Sequence, residues 1–452
     1  MKTLTVTLKQ HTPLIHFQPG QYGATLRASE VKPKLDKFIL GKLGGNDYLK
    51  GVEEAKRKKW LIGKGEHPAL DYKMRIIGKN VTLSPIEGYW GYRRNKKGVE
   101  IPISSPMFFG NMQNEQDKSK KNIKKCFSKC NDITLTLYSL NDDVIKIVLK
   151  YLQSFFLQTN FGTRQSKGYG SFSLVADEKW KNAVKEIEEE TMPVFPYFTC
   201  KGGEKALFDE MEWFYKAIRS GINDCFGEKF YMKSLMFAYA KEKGEQWEKK
   251  TIKTVFYDQL SDAYDSEDVN EKELANHKNK NDVLTYTSPN KDKFLFKDCL
   301  GLSTIEQWKK PVISEGQLIY KGFFTLKKSF CKTVEQSDEI QRMKSPVLLK
   351  PIKENGLYKV YIMYNEIPEK FLKSKFNISV NCCAENVFFP LKIFSDFSMK
   401  DYFDFIFRKY SDRDFVYRVD IPKMILVGRN TAKGKRIQEI FEEIRDSYKK
   451  IV

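Results

Sequence analysis

Histidine is scarce in this chain: His11, His16, His67 and His277 are the only four among 452 residues. Imidazole is the side chain whose ordinary pKa suits general-base work at neutral pH. Only His11 and His16 share a loop, and no recognisable base-orienting or oxyanion set surrounds them. The eight cysteines form no Cys-x-x-Cys pair; Cys126 and Cys130 are four apart, and Cys382 and Cys383 are adjacent. Such spacing suits neither a structural zinc site nor a disulfide framework, so a reduced, cytoplasmic protein without metal or cofactor is expected. No apolar run reaches the length of a membrane span. The first residues, Met1-Lys2-Thr3-Leu4-Thr5-Val6, alternate like a strand instead of forming the apolar centre of a signal peptide. No membrane partner is expected.

Acidic residues are also in deficit. Asp and Glu number 58 against 78 Lys and Arg, a formal charge of +20, and 14% of residues are aromatic. A basic chain rich in rings, with cations clustered around the rings, suits a polyanion that also stacks, namely single-stranded nucleic acid.

The richest stretch is Phe155-Phe-Leu-Gln-Thr-Asn-Phe-Gly-Thr-Arg-Gln-Ser-Lys-Gly-Tyr-Gly-Ser-Phe-Ser-Leu174. An apolar helix is expected to end near Gln158. Gly162, Gly168 and Gly170 then bracket Arg164 and Lys167 before a strand begins. Glycine admits positive φ and close backbone approach, and successive free N–H groups in such a turn form an anion-binding concavity. Arg164 and Lys167 would add charge at its rim, with Phe161 and Tyr169 as stacking platforms. A Walker loop is excluded because it must open a helix, and the dinucleotide fingerprint fails on the same order of elements. An ordinary helix-to-strand turn with surface charges remains the alternative reading.

Around this loop the expected order is a strand over 3–9, a helix capped by Ser29 with Val31, Leu35, Phe38 and Ile39 inward, and a charged loop over 44–69. A strand over 72–83, an irregular insert over 84–132 and a strand over 133–138 follow. The insert carries Tyr89-Trp90-Gly91-Tyr92-Arg93-Arg94, a candidate binding arm, and a Lys-rich run over 118–125. Asn141 and Asp142 cap a helix whose Val144, Ile147, Val148, Tyr151, Leu152, Phe155 and Phe156 keep helical spacing, and a closing strand spans 171–175. The order β-α-β-β-α-β is that of a ferredoxin-like unit. The expected class is α+β: a ferredoxin-like domain over 1–178, a helical linker over 179–192, and a second ferredoxin-like domain over 193–452 with a polar insert near 242–293. Both domains are expected to have antiparallel sheets and large basic inserts. Arg27, Lys32 and Lys34 cluster at the start of the first helix, where backbone N–H groups can hold phosphate.

The order helix, Gly-Thr-Arg-x-x-Lys-Gly-Tyr-Gly-Ser-Phe, strand, together with Thr12-Pro13-Leu14 and Leu26-Arg-Ala-Ser-Glu-Val-Lys-Pro33, resembles the RAMP superfamily of CRISPR-associated proteins. Within it, the pair is similar to the first subunit of the Cmr (type III-B) RNA-targeting complex. Leu300-Gly301-Leu302 and residues 342–351 look similar to short second-domain motifs of that superfamily. The resemblance implies a non-catalytic subunit that contacts the crRNA 3′ region, target RNA or both, alongside other subunits. Arg27, Lys32, Arg164 and Lys167 would then bind phosphates, Phe161 and Tyr169 would stack on bases, and Gly162, Gly168 and Gly170 would shape the loop. Two alternatives stand: a metal-independent endoribonuclease using His11 or His16, and a basic scaffold for protein neighbours.

Overall fold

The computed structural model describes residues 2–15, 24–63, 68–86, 89, 91–94, 98–102, 126–185, 187, 192–224, 230–249, 252, 294–314, 317–332, 339–381, 387–409 and 431–451. The chain divides into two units, one made of Met1–Glu212, Leu348–Met363 and Ser447–Val452, the other of Trp213–Val347 and Tyr364–Asp446.

In the first unit the alternation of Thr with Leu and Val makes strand β1 (Lys2–Gln10), with Val6 and Leu8 buried. Helix α1 (Ala28–Leu43) buries Val31, Leu35, Ile39 and Leu40. It begins slightly earlier than expected: the Arg27 carbonyl accepts the N–H groups of Glu30 and Val31, and Ser29 lies inside the helix. Helix α2 (Tyr48–Arg57) replaces part of the expected charged loop. Asp47 caps it through the N–H groups of Leu49 and Lys50, and its buried positions are Gly51 and Ala55. A Cβ on Gly51 would lie 1.7 Å from the Leu40 carbonyl oxygen. The two helices touch through a glycine, so α2 has no large apolar stripe for periodicity to reveal.

Strands β2 (Lys73–Pro85) and β3 (Cys126–Ser139) pair antiparallel along their whole lengths, Pro85 opposite Cys126. Residues 126–132, expected in an irregular insert, therefore belong to the sheet. Helix α3 (Asp142–Gln158) starts as expected: the Asn141 side chain accepts the N–H groups of Asp143 and Val144, and Val144, Val148, Leu152, Phe155 and Phe156 are buried. Strand β4 (Phe172–Leu174) closes the sheet in the order β2-β3-β1-β4, antiparallel throughout. Helices α1 and α3 share one core, with Phe38 edge-on to Phe155 at 5.7 Å. The expected helical linker begins as helix α4 (Glu178–Val184), whose Trp180 and Val184 enter that same core. Charge outnumbers apolar residues in this segment, which hid the two that anchor it.

Strand β5 (Tyr197–Cys200) leads to helix α5 (Glu204–Arg219). It pairs with β7 (Leu357–Tyr364) in a sheet of order β6-β7-β5, where β6 is Val347–Glu354. Asn355 (φ +49°) and Gly356 (φ +79°) join β6 to β7, the left-handed pair of a two-residue hairpin. Residues up to 212, and again 348–363, thus group with the first unit, whereas a second domain was expected from 193 onward.

The second unit is also α+β. Its strands Ile305–Ser314, Gln317–Phe330, Lys375–Asn381 and Val387–Ile393 pair antiparallel in sequence order, and Phe294–Leu295 adds a parallel edge. That consecutive order differs from the split order expected there. The helix Ala432–Lys449 buries Ile437, Ile440, Phe441 and Ile444 at the spacing read from sequence. Lys328 is buried between two carboxylates, Asp298 at 2.6 Å and Glu306 at 2.7 Å.

Candidate nucleic-acid interface

Residues 160–171 join α3 to β4 as a loop with a closed neck: the Phe161 N–H donates to the Gly170 carbonyl at 2.9 Å, and Asn160 pairs with Ser171. One flank runs along residues 12–15. The Gly170 N–H donates to the Pro13 carbonyl (2.9 Å) and the Thr163 N–H to the Ile15 carbonyl (2.8 Å). The Thr12 hydroxyl donates to the Gly168 carbonyl (2.7 Å) and accepts the Ser171 N–H (3.0 Å). The two stretches that carry the RAMP resemblance are thus one hydrogen-bonded structure. A Cβ on Gly170, at φ +64°, would sit 2.0 Å from the Phe161 carbonyl oxygen, so only glycine closes the neck.

The other flank comes from far along the chain. The Leu349 N–H in β6 donates to the Ser166 carbonyl (3.2 Å), the Asn160 amide to the Leu349 carbonyl (2.8 Å), and the Ser171 hydroxyl to the Pro351 carbonyl (2.7 Å). Lys350 is fully buried, and its ammonium donates to the Thr159 and Phe172 carbonyls, each at 2.8 Å, tying both ends of the loop together. Burial alone pushes the Lys350 pKa well below its ordinary value. Residues 349–351, read from sequence as second-domain motif, floor the first unit's loop.

Several expected contacts are corrected by this geometry. Phe161 is fully buried among Phe155, Phe156 and Phe172. Tyr169 is fully buried between Phe127 (5.8 Å) and Phe208 (4.2 Å). Neither ring offers a face to a base; both are core. The anion-binding concavity is also filled from within, because Glu30 accepts the Gly162 N–H at 2.8 Å, and the Thr163, Lys167, Gly168 and Gly170 N–H groups bond inside the protein. Gly162, Gly168 and Gly170, all at positive φ, are framework. Lys32 is held by Asp36 (2.7 Å), the Leu70 carbonyl (3.1 Å) and the Tyr72 ring (4.2 Å), on the structural side of α1. The Lys167 ammonium is buried.

All four expected cations, Arg27, Lys32, Arg164 and Lys167, are half-exposed as residues, with the Arg164 Nε buried like the Lys167 ammonium. Lys34 joins them: it reaches Glu30 at 3.2 Å and the Gln165 side chain at 3.3 Å, over the Phe161 ring, and its side chain is 32% exposed. Its place in the Arg27, Lys32, Lys34 cluster was the available signal, since helical spacing sets Lys34 on the face of Glu30. Arg164 sits at φ +60°, a left-handed conformation that costs a non-glycine residue about 1 kcal/mol or more.

His11 is 6% exposed. Its Nδ1 accepts the Lys353 N–H at 3.0 Å, so the remaining proton lies on Nε2, which is 2.8 Å from the Ser173 hydroxyl. Burial, then Lys350 and Lys9, push its pKa down to about 3. Both ring nitrogens are engaged, and no lone pair faces solvent. His16 lies outside the described residues. Of the candidate arm, Tyr89 folds back edge-on to Phe127 (4.5 Å), its hydroxyl donating to the Glu204 carboxylate that also holds Lys129. Tyr92 and Arg94 are exposed. Trp90 and the Lys-rich run over 118–125 are outside the described residues. Among the described residues no helix is long and apolar enough to cross a membrane, and no group of three or more His, Cys, Asp or Glu side chains could hold a metal.

Residues 1–222 match the family model of the Cmr1 N-terminal domain, and residues 231–425 match that of the Cmr1 C-terminal domain. No curated protein matches the chain. Among solved structures, a chain of the type III-B Cmr-beta complex bound to cognate target RNA and AMPPnP is similar at 12% identity and a TM-score of 0.36, covering 79% of this chain and 94% of that one. Cmr1 from Pyrococcus furiosus, in its apo form, is similar at 11% identity and a TM-score of 0.30, covering 90% of this chain and 97% of that one. At those TM-scores the structures add nothing to the assignment, which rests on two family models that between them take in nearly the whole length. The chain belongs to the Cmr1 family of CRISPR-associated proteins.

Proposed function

We propose that the protein is a non-catalytic, RNA-binding subunit of a type III-B (Cmr) RNA-guided effector complex, contacting the crRNA 3′ region, target RNA or both. The first unit's β-α-β-β-α-β order is read here as ferredoxin-like, and the half-exposed crest of the glycine loop beside α1 as its RNA contact. Arg27, Lys34 and Arg164 meet phosphates; the glycines, Phe161, Tyr169, Lys32 and Lys167 hold the crest in shape. Other subunits of the complex are its protein partners.

The observation that carries this reading is Arg164. At φ +60° a non-glycine residue is strained, and here that position holds a half-exposed arginine at the crest of the loop. The formal charge of +20 points the same way. The endoribonuclease reading is disfavoured by His11, whose two nitrogens are both engaged.

The test is RNA affinity of the full chain across a salt series, wild type against Arg164→Gly. Phosphate contacts give a log–log slope of roughly −0.7 per contact on single strands. Arg164→Gly should lower that slope by one contact. Affinity independent of salt, or a glycine variant that binds like wild type, rejects the loop crest. Site-specific cleavage of repeat RNA by excess protein in chelator rejects the non-catalytic role.

A further inference from the structure

Strands β7 and β5 present two unlike faces. Phe198, Cys200, Tyr358 and Val360 are buried, while Tyr197, Thr199, Lys359 and Tyr361 alternate with them and are half-exposed. The register sets Tyr197 opposite Tyr361 and Thr199 opposite Lys359. The two tyrosine rings are 5.9 Å apart, and the Lys359 ammonium lies 3.9 Å from the Tyr197 centroid and 5.4 Å from that of Tyr361. The backbone beneath is rigidly held: the Ser447 hydroxyl accepts the Tyr197 N–H (2.9 Å) and donates to the Tyr197 carbonyl (3.1 Å). A soluble sheet that buried this face for stability would cover it with apolar residues; here two rings and a cation meet water instead.

We infer that this face is a second RNA-binding surface, a platform for about two unpaired nucleotides, with bases stacked on Tyr197 and Tyr361 and a phosphate paired to Lys359. Sheet faces that carry aromatics bind single strands in this way, since every base has a ring face and stacking tolerates any sequence. Charge favours the same occupant. The Lys359 ammonium, lying over both rings, is the cation this face offers to a phosphate. The platform is separate from the loop crest, and the inference rests on the reading of the protein as an RNA binder.

Fluorescence anisotropy of labelled oligouridine with the full chain tests it, using Tyr197→Leu with Tyr361→Leu, Thr199→Glu, and Arg164→Gly as reference. The double leucine variant, losing two stacked bases, should bind at least about 30-fold more weakly than wild type, and Tyr361→Phe should bind like wild type because the ring is kept. Thr199→Glu removes no ring and places a carboxylate beside Lys359, so it should weaken binding and keep its thermal transition, which keeps the test valid if the leucine variant does not fold. Photocrosslinking with 4-thiouridine should label the peptides containing Tyr197 or Tyr361. If wild type binds no oligouridine, the RNA-binding reading itself fails. If Arg164→Gly weakens binding and both Thr199→Glu and the leucine variant bind like wild type, the platform alone fails. A leucine variant with full RNA affinity that no longer assembles with its protein neighbours overturns it in favour of a protein interface.

Discussion

Lys350 in the first unit and Lys328 in the second are the same residue at nearly the same burial, 0% and 4% exposed, with opposite surroundings. Lys328 donates to Asp298 and Glu306, whose charges, with that of Glu248, raise its pKa despite burial. Lys350 donates to two backbone carbonyls, and burial alone lowers its pKa. One is half of an ion-pair network; the other is a hydrogen-bond staple whose charge nothing compensates. Burial therefore does not say what a lysine does. Its partners do, and here they separate a residue that holds a sheet together from one that holds the glycine loop in shape.

The sharpest way to break the comparison is to make both residues methionine. Lys328→Met leaves the buried Asp298 carboxylate without its ion-pair partner, while Glu306 keeps Lys297, and should cost about 3–5 kcal/mol, read as lost hydrogen-exchange protection in Gln317–Phe330. Lys350→Met leaves no charge behind, only the Thr159 and Phe172 carbonyls without donors. It should cost about 1–3 kcal/mol, with protection lost over residues 160–171. Equal losses would mean that burial, and not partner chemistry, sets the role.

A smaller effect is pH dependence. The His11 pKa lies near 3 in the folded chain, held down by burial and then Lys350, and near its ordinary 6.5 once unfolded. Between those values the unfolded state binds the proton and the folded state does not. The His11 contribution is therefore complete above pH 6.5 and falls as pH drops toward 3, by at most about 1.4 kcal/mol per pH unit. Glu248 in the second unit works in the opposite sense. Burial first, and Asp298, push its pKa up to about 7 from 4.5, so its contribution is present below pH 4.5 and is lost as pH rises to 7. Exchange protection in β1 should accordingly weaken on acidification from pH 6.5 to 5.5, and His11→Gln should remove that part of the slope. Lys350→Met should raise the His11 pKa, measured from its ring proton shifts; an unchanged value would show that the staple carries no charge His11 can sense.

Local pattern by itself determined β1, the capped helix α3, the α+β class with antiparallel sheets, and the place and glycine spacing of the loop, because strand alternation, helical periodicity and turn chemistry all act within a few residues. What each loop side chain does was decided by tertiary structure. Phe161 and Tyr169 read as stacking platforms by composition, and they became core because Phe156, Phe172, Phe127 and Phe208 close over them. The loop's N–H groups read as an empty anion site, and Glu30, 132 residues away, fills it. Its floor is β6, with Leu349 bonded to Asn160 across 189 residues. A sequence window records which atoms can donate, accept or stack, but the partner that claims each one is chosen by packing between segments far apart in the chain.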